Sequence, residues 1–194
     1  SIENEPVVEL VNNREREYIF ADLPDIGYST DIDTVMASSY QVKKQLQQIV
    51  KIEQPITNTL LYKRILRIWN LTRVTTRLQV FIDNLLEDAY KDPLSGDTII
   101  YWEDEEKAKD CDFYRINSKR DILDIPILEV MSAARYAIEQ QISMPTEDLK
   151  RLTSQLLGFS RKGNNLDMVT EQTIQLLIDQ GIFSHANGMV SMNN

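Results

Sequence analysis

Few side chains in this chain could act as nucleophiles or metal ligands. Its 194 residues include one cysteine, Cys111, and one histidine, His185. A structural zinc site needs four Cys/His-type ligands and a disulfide needs two cysteines, so disulfides and zinc fingers are excluded. Cys111 stands between Asp110 and Asp112, whose negative charges raise a thiol pKa, so an idle thiol is expected. His185 sits in a strand-like stretch beside Asn187-Gly188, which points to a hairpin surface position. None of the six glycines falls in a phosphate-loop pattern. Asp97 with Glu105 and Lys107 formally matches the Asp…Glu-x-Lys arrangement in which two carboxylates hold a divalent ion beside a lysine. That pattern is short, and the run Glu103 to Glu106 reads as a solvated acidic connector. No catalytic residue, metal or cofactor is therefore expected.

The remaining chemistry is that of cations. The net charge is −9, unevenly spread: residues 1–39 carry −7, 40–102 carry +3, 103–124 carry −3 and 125–194 carry −2. Only the 40–102 segment has the charge to neutralise phosphates. In it, Lys63, Arg64 and Arg67 could hold phosphates, while Arg73, Thr76 and Arg77 lie away from the apolar stripe of the next helix, where they could face a DNA groove. Arg161 and Lys162, with Asn164 and Asn165 around Gly163, occupy the corresponding place further on.

Positioning these side chains requires helices, and the apolar spacing supplies them. Val42, Leu46, Ile49 and Val50 mark a first helix that Pro55 should end. Leu61, Ile65, Ile68 and Trp69 mark a second, following Thr57. Val74, Leu78, Phe81, Ile82, Leu85 and Leu86 mark a third from Arg73 to Glu87, with Thr72 as its N-cap. Turn chemistry from Asp92 to Asp97 then precedes a strand from Thr98 to Trp102. The same order returns downstream. Helices are expected from Pro126 (Ile127, Met131, Ala134, Ile138), from Thr146 as a cap (Leu149, Leu152, Leu156, Leu157) up to Gly158, and through Leu166, Val169, Thr173 and Leu177. A hairpin about Asn187-Gly188 closes the series. An offset of 88 aligns Leu61 with Leu149, Ile68 with Leu156, Trp69 with Leu157 and Leu78 with Leu166, which points to an internal repeat.

The expected architecture is thus mainly α (α+β): two tandem winged helix-turn-helix-like units with small β hairpins. Residues 1–39 form an acidic arm or linker, broken by Pro6, Pro24 and Gly27 and without a sustained helical or strand period. Residues 40–102 are the first unit, 103–124 an acidic connector and 125–194 the second unit. No apolar run reaches the ~18 residues of a membrane span and no signal peptide pattern opens the chain, so a cytoplasmic location without membrane contact is expected. A start at Ser1 suggests a piece of something larger.

Glu53-Gln54-Pro55-Ile56, Arg64 to Trp69, Leu71-Thr72-Arg73, Ile99 to Trp102, Ile125 to Glu129 and Leu157 to Gly163 together resemble domain of unknown function 3320, over about Tyr40 to Met192. Gln54 departs from the glycine expected before the proline. That family lies at the C-terminal end of large bacterial proteins similar to superfamily 1 DNA helicases. The resemblance implies that ATP hydrolysis belongs to a motor elsewhere in the parent polypeptide and that this piece is a non-catalytic, helicase-associated accessory module. Two functions are expected: DNA contact through the first unit, from its +3 charge and helix geometry, or docking and regulation of the helicase motor, from the net charge of −9. Because the family's parent proteins often carry an endonuclease-like segment, the resemblance also keeps a metal-dependent nuclease using Asp97, Glu105 and Lys107 as a remote alternative.

Overall fold

Thr57, Thr75 and Asp31 each place a side-chain oxygen on a backbone amide three residues ahead, and these contacts fix where three of the helices begin. The computed structural model describes residues 12–193. In chain order its elements are β1 (Glu15–Glu17), α1 (Ile32–Ala37), α2 (Ser39–Glu53), β2 (Ile56–Thr57), α3 (Asn58–Ile68), α4 (Thr76–Leu85), β3 (Tyr90–Lys91), β4 (Ile100–Trp102), α5 (Glu105–Lys109) and β5 (Tyr114–Ile116). A 3₁₀ turn at Ile122–Asp124 leads to α6 (Ile127–Glu139), β6 (Met144–Pro145), α7 (Thr146–Leu156), α8 (Asn164–Asp179), β7 (Phe183–Ala186) and β8 (Met189–Met192). The fold is mainly helical with small sheets. No helix among the described residues is long and apolar enough to cross a membrane.

The two helical groups share one plan. The starts of α2, β2, α3 and α4 each lie 88 residues before those of α6, β6, α7 and α8. Each group closes with a three-stranded antiparallel sheet whose third strand in sequence lies between the other two, in the order β2-β4-β3 and β6-β8-β7. Leu61 and Leu149 are fully buried at equivalent places, as are Leu78 and, nearly so, Leu166. Leu46, Ile49, Leu61, Ile65, Leu78 and Ile82 fill the first core, and Ala134, Ile138, Leu149, Ile174, Leu177 and Phe183 the second. Burial of each such leucine or isoleucine contributes roughly 1.5–3 kcal/mol. Asn187 and Gly188, at φ 54° and 74°, form the two-residue turn that joins β7 to β8.

Several local expectations are corrected. The arm is not without regular structure, since β1 pairs in parallel with β5 and α1 packs Val35 into the first core. α4 starts three residues later than expected, capped by Thr75 rather than Thr72. The chain needs the residues after Asn70, whose φ is 48°, to reverse direction, and this leaves Arg73 in the turn. Thr146 is the first residue of α7, and Pro145 holds the cap position with no side-chain bond. Pro126 likewise caps α6 instead of opening it. Residues 103–124 begin as an exposed acidic stretch, but they also carry β5, Arg115 and Arg120, whose side chains are buried between the two groups.

Candidate nucleic-acid interface

Arg73, Thr76 and Arg77 are all exposed at the turn and first turn of α4, while Leu78 and Ile82 on the opposite side are fully buried. Amphipathicity alone produces this: the apolar stripe turns inward, and a polar face one third of a turn away is left to solvent. Arg73 makes no ion pair with a described residue, whereas Arg77 lies 2.8 Å from Asp33 of α1 with both side chains more than half exposed. Further along the same helix Val80 is 53% exposed.

The three cations of α3 are each engaged. The Nζ of Lys63 is 2.5 Å from the buried Asp124 carboxylate. Arg67 donates to the Leu23 carbonyl at 2.7 Å and packs against the Phe20 ring. Arg64 departs furthest from its expected role. Its guanidinium forks onto the fully buried Glu53 carboxylate at 2.9–3.1 Å and stacks on Phe20, leaving the side chain 14% exposed. Burial lowers an arginine pKa, but the Glu53 bonds and charge outweigh it and raise the value. A guanidinium tied in this way is not free for phosphate, because releasing it strands a buried carboxylate.

Sequence reasoning missed the charge cluster of which Glu53 is one half. Glu129, fully buried in α6, accepts from Arg115 at 2.8 and 3.0 Å and from Arg120 at 2.7 and 2.9 Å. Arg115 also donates to the carbonyls of Glu53 and Pro55 at 2.7 and 2.6 Å, so one side chain spans the seam between the two helical groups. Burial alone would raise the Glu129 pKa, but the charge of Arg115 and the bonds and charge of Arg120 hold it at about 2. Tyr18 donates to Glu53, and burial followed by that carboxylate raises its own pKa. The signal was available: Glu53 lies on the stripe of Val42, Leu46, Ile49 and Val50, and Glu129 one turn before Ala133 on the buried face of α6.

In the second group Arg161 and Lys162 are exposed in the turn before α8 and make no ion pair with a described residue. Their surroundings differ from those of Arg73. Lys150, its side chain 8% exposed, lies 2.6 Å from Asp167 and 3.3 Å from Glu147. Asn164 and Asn165 stand where the first group has Thr76 and Arg77. Asp97 lies in the loop between β3 and β4, and Glu105 and Lys107 are exposed on α5. Among the described residues no three His, Cys, Asp or Glu side chains are grouped to hold a metal ion. Cys111 is half-buried, and its thiol is pushed up to about 12 by burial first and the Glu129 charge next, rather than chiefly by its sequence neighbours. His185 is exposed on β7, opposite Val190.

Residues 37–80 match the family described as protein of unknown function (DUF3320). The likeness spans α2, β2, α3 and the first half of α4, and so takes in Glu53, Arg64, Arg73 and Arg77. No curated protein and no solved structure matches the chain.

Proposed function

We propose that the chain is a non-catalytic accessory domain of a cytoplasmic, helicase-like protein, and that its first unit contacts DNA. The observation that carries this reading is the exposed group Arg73, Thr76 and Arg77 at the outer N-terminal end of α4. Helix, short strand, helix, turn, helix and a two-stranded return, with the first strand joining the sheet edge, is the order of a winged helix-turn-helix, whose third helix enters a major groove. Arg73 and Arg77 would meet phosphate or base edges and Arg67 the backbone. Residues 37–80 match DUF3320; the helicase-like parent is what the resemblance to that family implies, and the second unit would dock on that motor. The docking role has its own support, because α7 and α8 together carry five carboxylates against two cations, Lys150 and Arg151, both paired with carboxylates of these helices, and that excess suits a basic protein surface.

Fluorescence anisotropy of labelled single-stranded, duplex and forked DNA across a salt series tests the DNA reading. Binding is expected to weaken steeply with salt and to be lost in Arg73→Glu/Arg77→Glu, but to survive Arg161→Glu/Lys162→Glu. No binding at low salt overturns DNA contact and leaves motor docking.

A further inference from the structure

Between Tyr18 and Asp33 the chain runs along the whole helix-turn-helix of the first unit. Phe20 packs against Arg64 and Arg67 at 4.5 and 5.3 Å. Leu23 gives its carbonyl to Arg67. The Ile26 amide donates to the Ile68 carbonyl at 2.9 Å, Thr30 donates to the Trp69 carbonyl, and Asn70 donates to the Tyr28 carbonyl at 3.2 Å. Asp33 then meets Arg77 on α4. The stretch from Tyr18 to Ala37 contains Asp22, Asp25, Asp31 and Asp33 and no lysine or arginine. All four carboxylates are exposed.

We infer that this acidic arm masks the nucleic-acid face, holding Arg67 and Arg77 with its own oxygens in the places that DNA phosphates take when duplex DNA binds. The inference rests on the DNA reading above and adds regulation to the same site. The contacts differ in how readily they exchange. Tyr18 and Ala21 are fixed on the buried Glu53 carboxylate, the latter through its amide at 2.9 Å. Arg77 and Asp33 are 56% and 73% exposed, so their attraction is screened and a phosphate oxygen replaces the carboxylate at small cost. Arg67 gives up only a neutral carbonyl and a contact over the Phe20 ring, and a phosphate forms the stronger, charge-assisted bond. Arg64 stays where it is, since its partner Glu53 belongs to α2 and not to the arm.

The test compares duplex DNA binding of the wild type, Phe20→Ala/Asp33→Asn, and the control Glu106→Gln, which removes one carboxylate from the remote α5. The double variant is expected to bind roughly tenfold tighter, because it no longer displaces the arm, with a salt slope close to that of the wild type, since both complexes end with the same phosphate contacts. The control keeps the wild-type affinity. If wild type and double variant bind with equal affinity, the mask is overturned and the DNA reading stands. If neither binds at low salt, both fall. Should the double variant not fold, amide exchange on the wild type decides. The Ile26 amide is expected to exchange faster at saturating duplex DNA, and unchanged protection overturns the mask.

Discussion

In the first unit the cations of the helix pair are partnered from outside the pair: Arg67 by Leu23 and Arg77 by Asp33, both on the arm. In the second, Lys150 is partnered from inside, by Glu147 on its own helix and by Asp167 across the pair. The difference runs through equivalent positions. Tyr62 of α3 donates to Asp83 of α4 at 2.7 Å, and 88 residues on Lys150 of α7 stands 3.9 Å from Glu171 of α8. Where the first unit links its helices with a neutral hydroxyl, the second uses up a charge. One helical plan thus gives a helix pair whose cations are held by the arm and another whose helix cations, Lys150 and Arg151, are already paired within it, with Arg161 and Lys162 left exposed in the turn between.

The two units behave as regions of one body only if the seam between them couples their folding, and the largest predicted effect lies there. Glu129→Ala leaves Arg115 and Arg120, both nearly inaccessible, without their carboxylate at the seam. A loss of about 3–5 kcal/mol is expected, with both units still unfolding in one transition, read by urea denaturation followed at two probes. Separate transitions in the wild type would mean that the seam does not couple the units. A replacement of all three charges by apolar residues of similar volume should recover much of the loss, because the penalty comes from stranding charge and not from losing a net attraction.

The same seam makes stability depend on acid. The Glu129 carboxyl titrates at about 2 in the folded chain against an ordinary 4.5. A depressed folded value means that its contribution is complete above pH 4.5 and is lost as pH falls toward 2. About 3 kcal/mol should disappear over that window beyond what the other carboxylates contribute. Urea midpoints from pH 6 to 2.5 would record it, and Glu129→Gln should flatten that part of the curve from a lower plateau. An unchanged profile in Glu129→Gln would sink the assignment.

The helices that carry both faces were legible because their apolar residues repeat at helical spacing, and the 88-residue offset was legible because each unit must bury the same stripe. The charge cluster was not read, although Glu53 and Glu129 interrupt those stripes, because their partners come from distant stretches: Arg115 and Arg120 look like ordinary connector cations until β5 pairs with β1. Arg64 was misjudged for a related reason. Helical periodicity places it on an outer face of its own helix, and it says nothing of the Glu53 carboxylate that α2 brings to that face or of Phe20 that the arm lays over it. Thr72 and Thr146 were read as caps because Thr is a good cap by type. Which residue actually bonds a free amide depends on how many residues the reversal after Asn70, or the short strand before α7, consumes.

The smallest predicted effect returns to the two third helices, whose starts differ in one atom group. Thr75 caps α4 with its hydroxyl on the Leu78 amide at 3.2 Å, while Gly163 at the start of α8 has no side chain and gives its first amides no cap. Thr75→Ala should cost about 1 kcal/mol, since the amide loses its partner while the helix remains packed through Leu78 and Ile82. Gly163→Ser should instead stabilise by a few tenths to about 1 kcal/mol. The backbone at Gly163 is extended, with φ −165°, and a Cβ there meets nothing within 4 Å, so the serine adds a cap without strain. Thermal melts of the two variants should therefore shift in opposite directions. A fall in both would mean that the turn at Phe159 to Gly163 needs glycine for a reason other than its backbone angles, and the equivalence of the two helix starts would fail at that point.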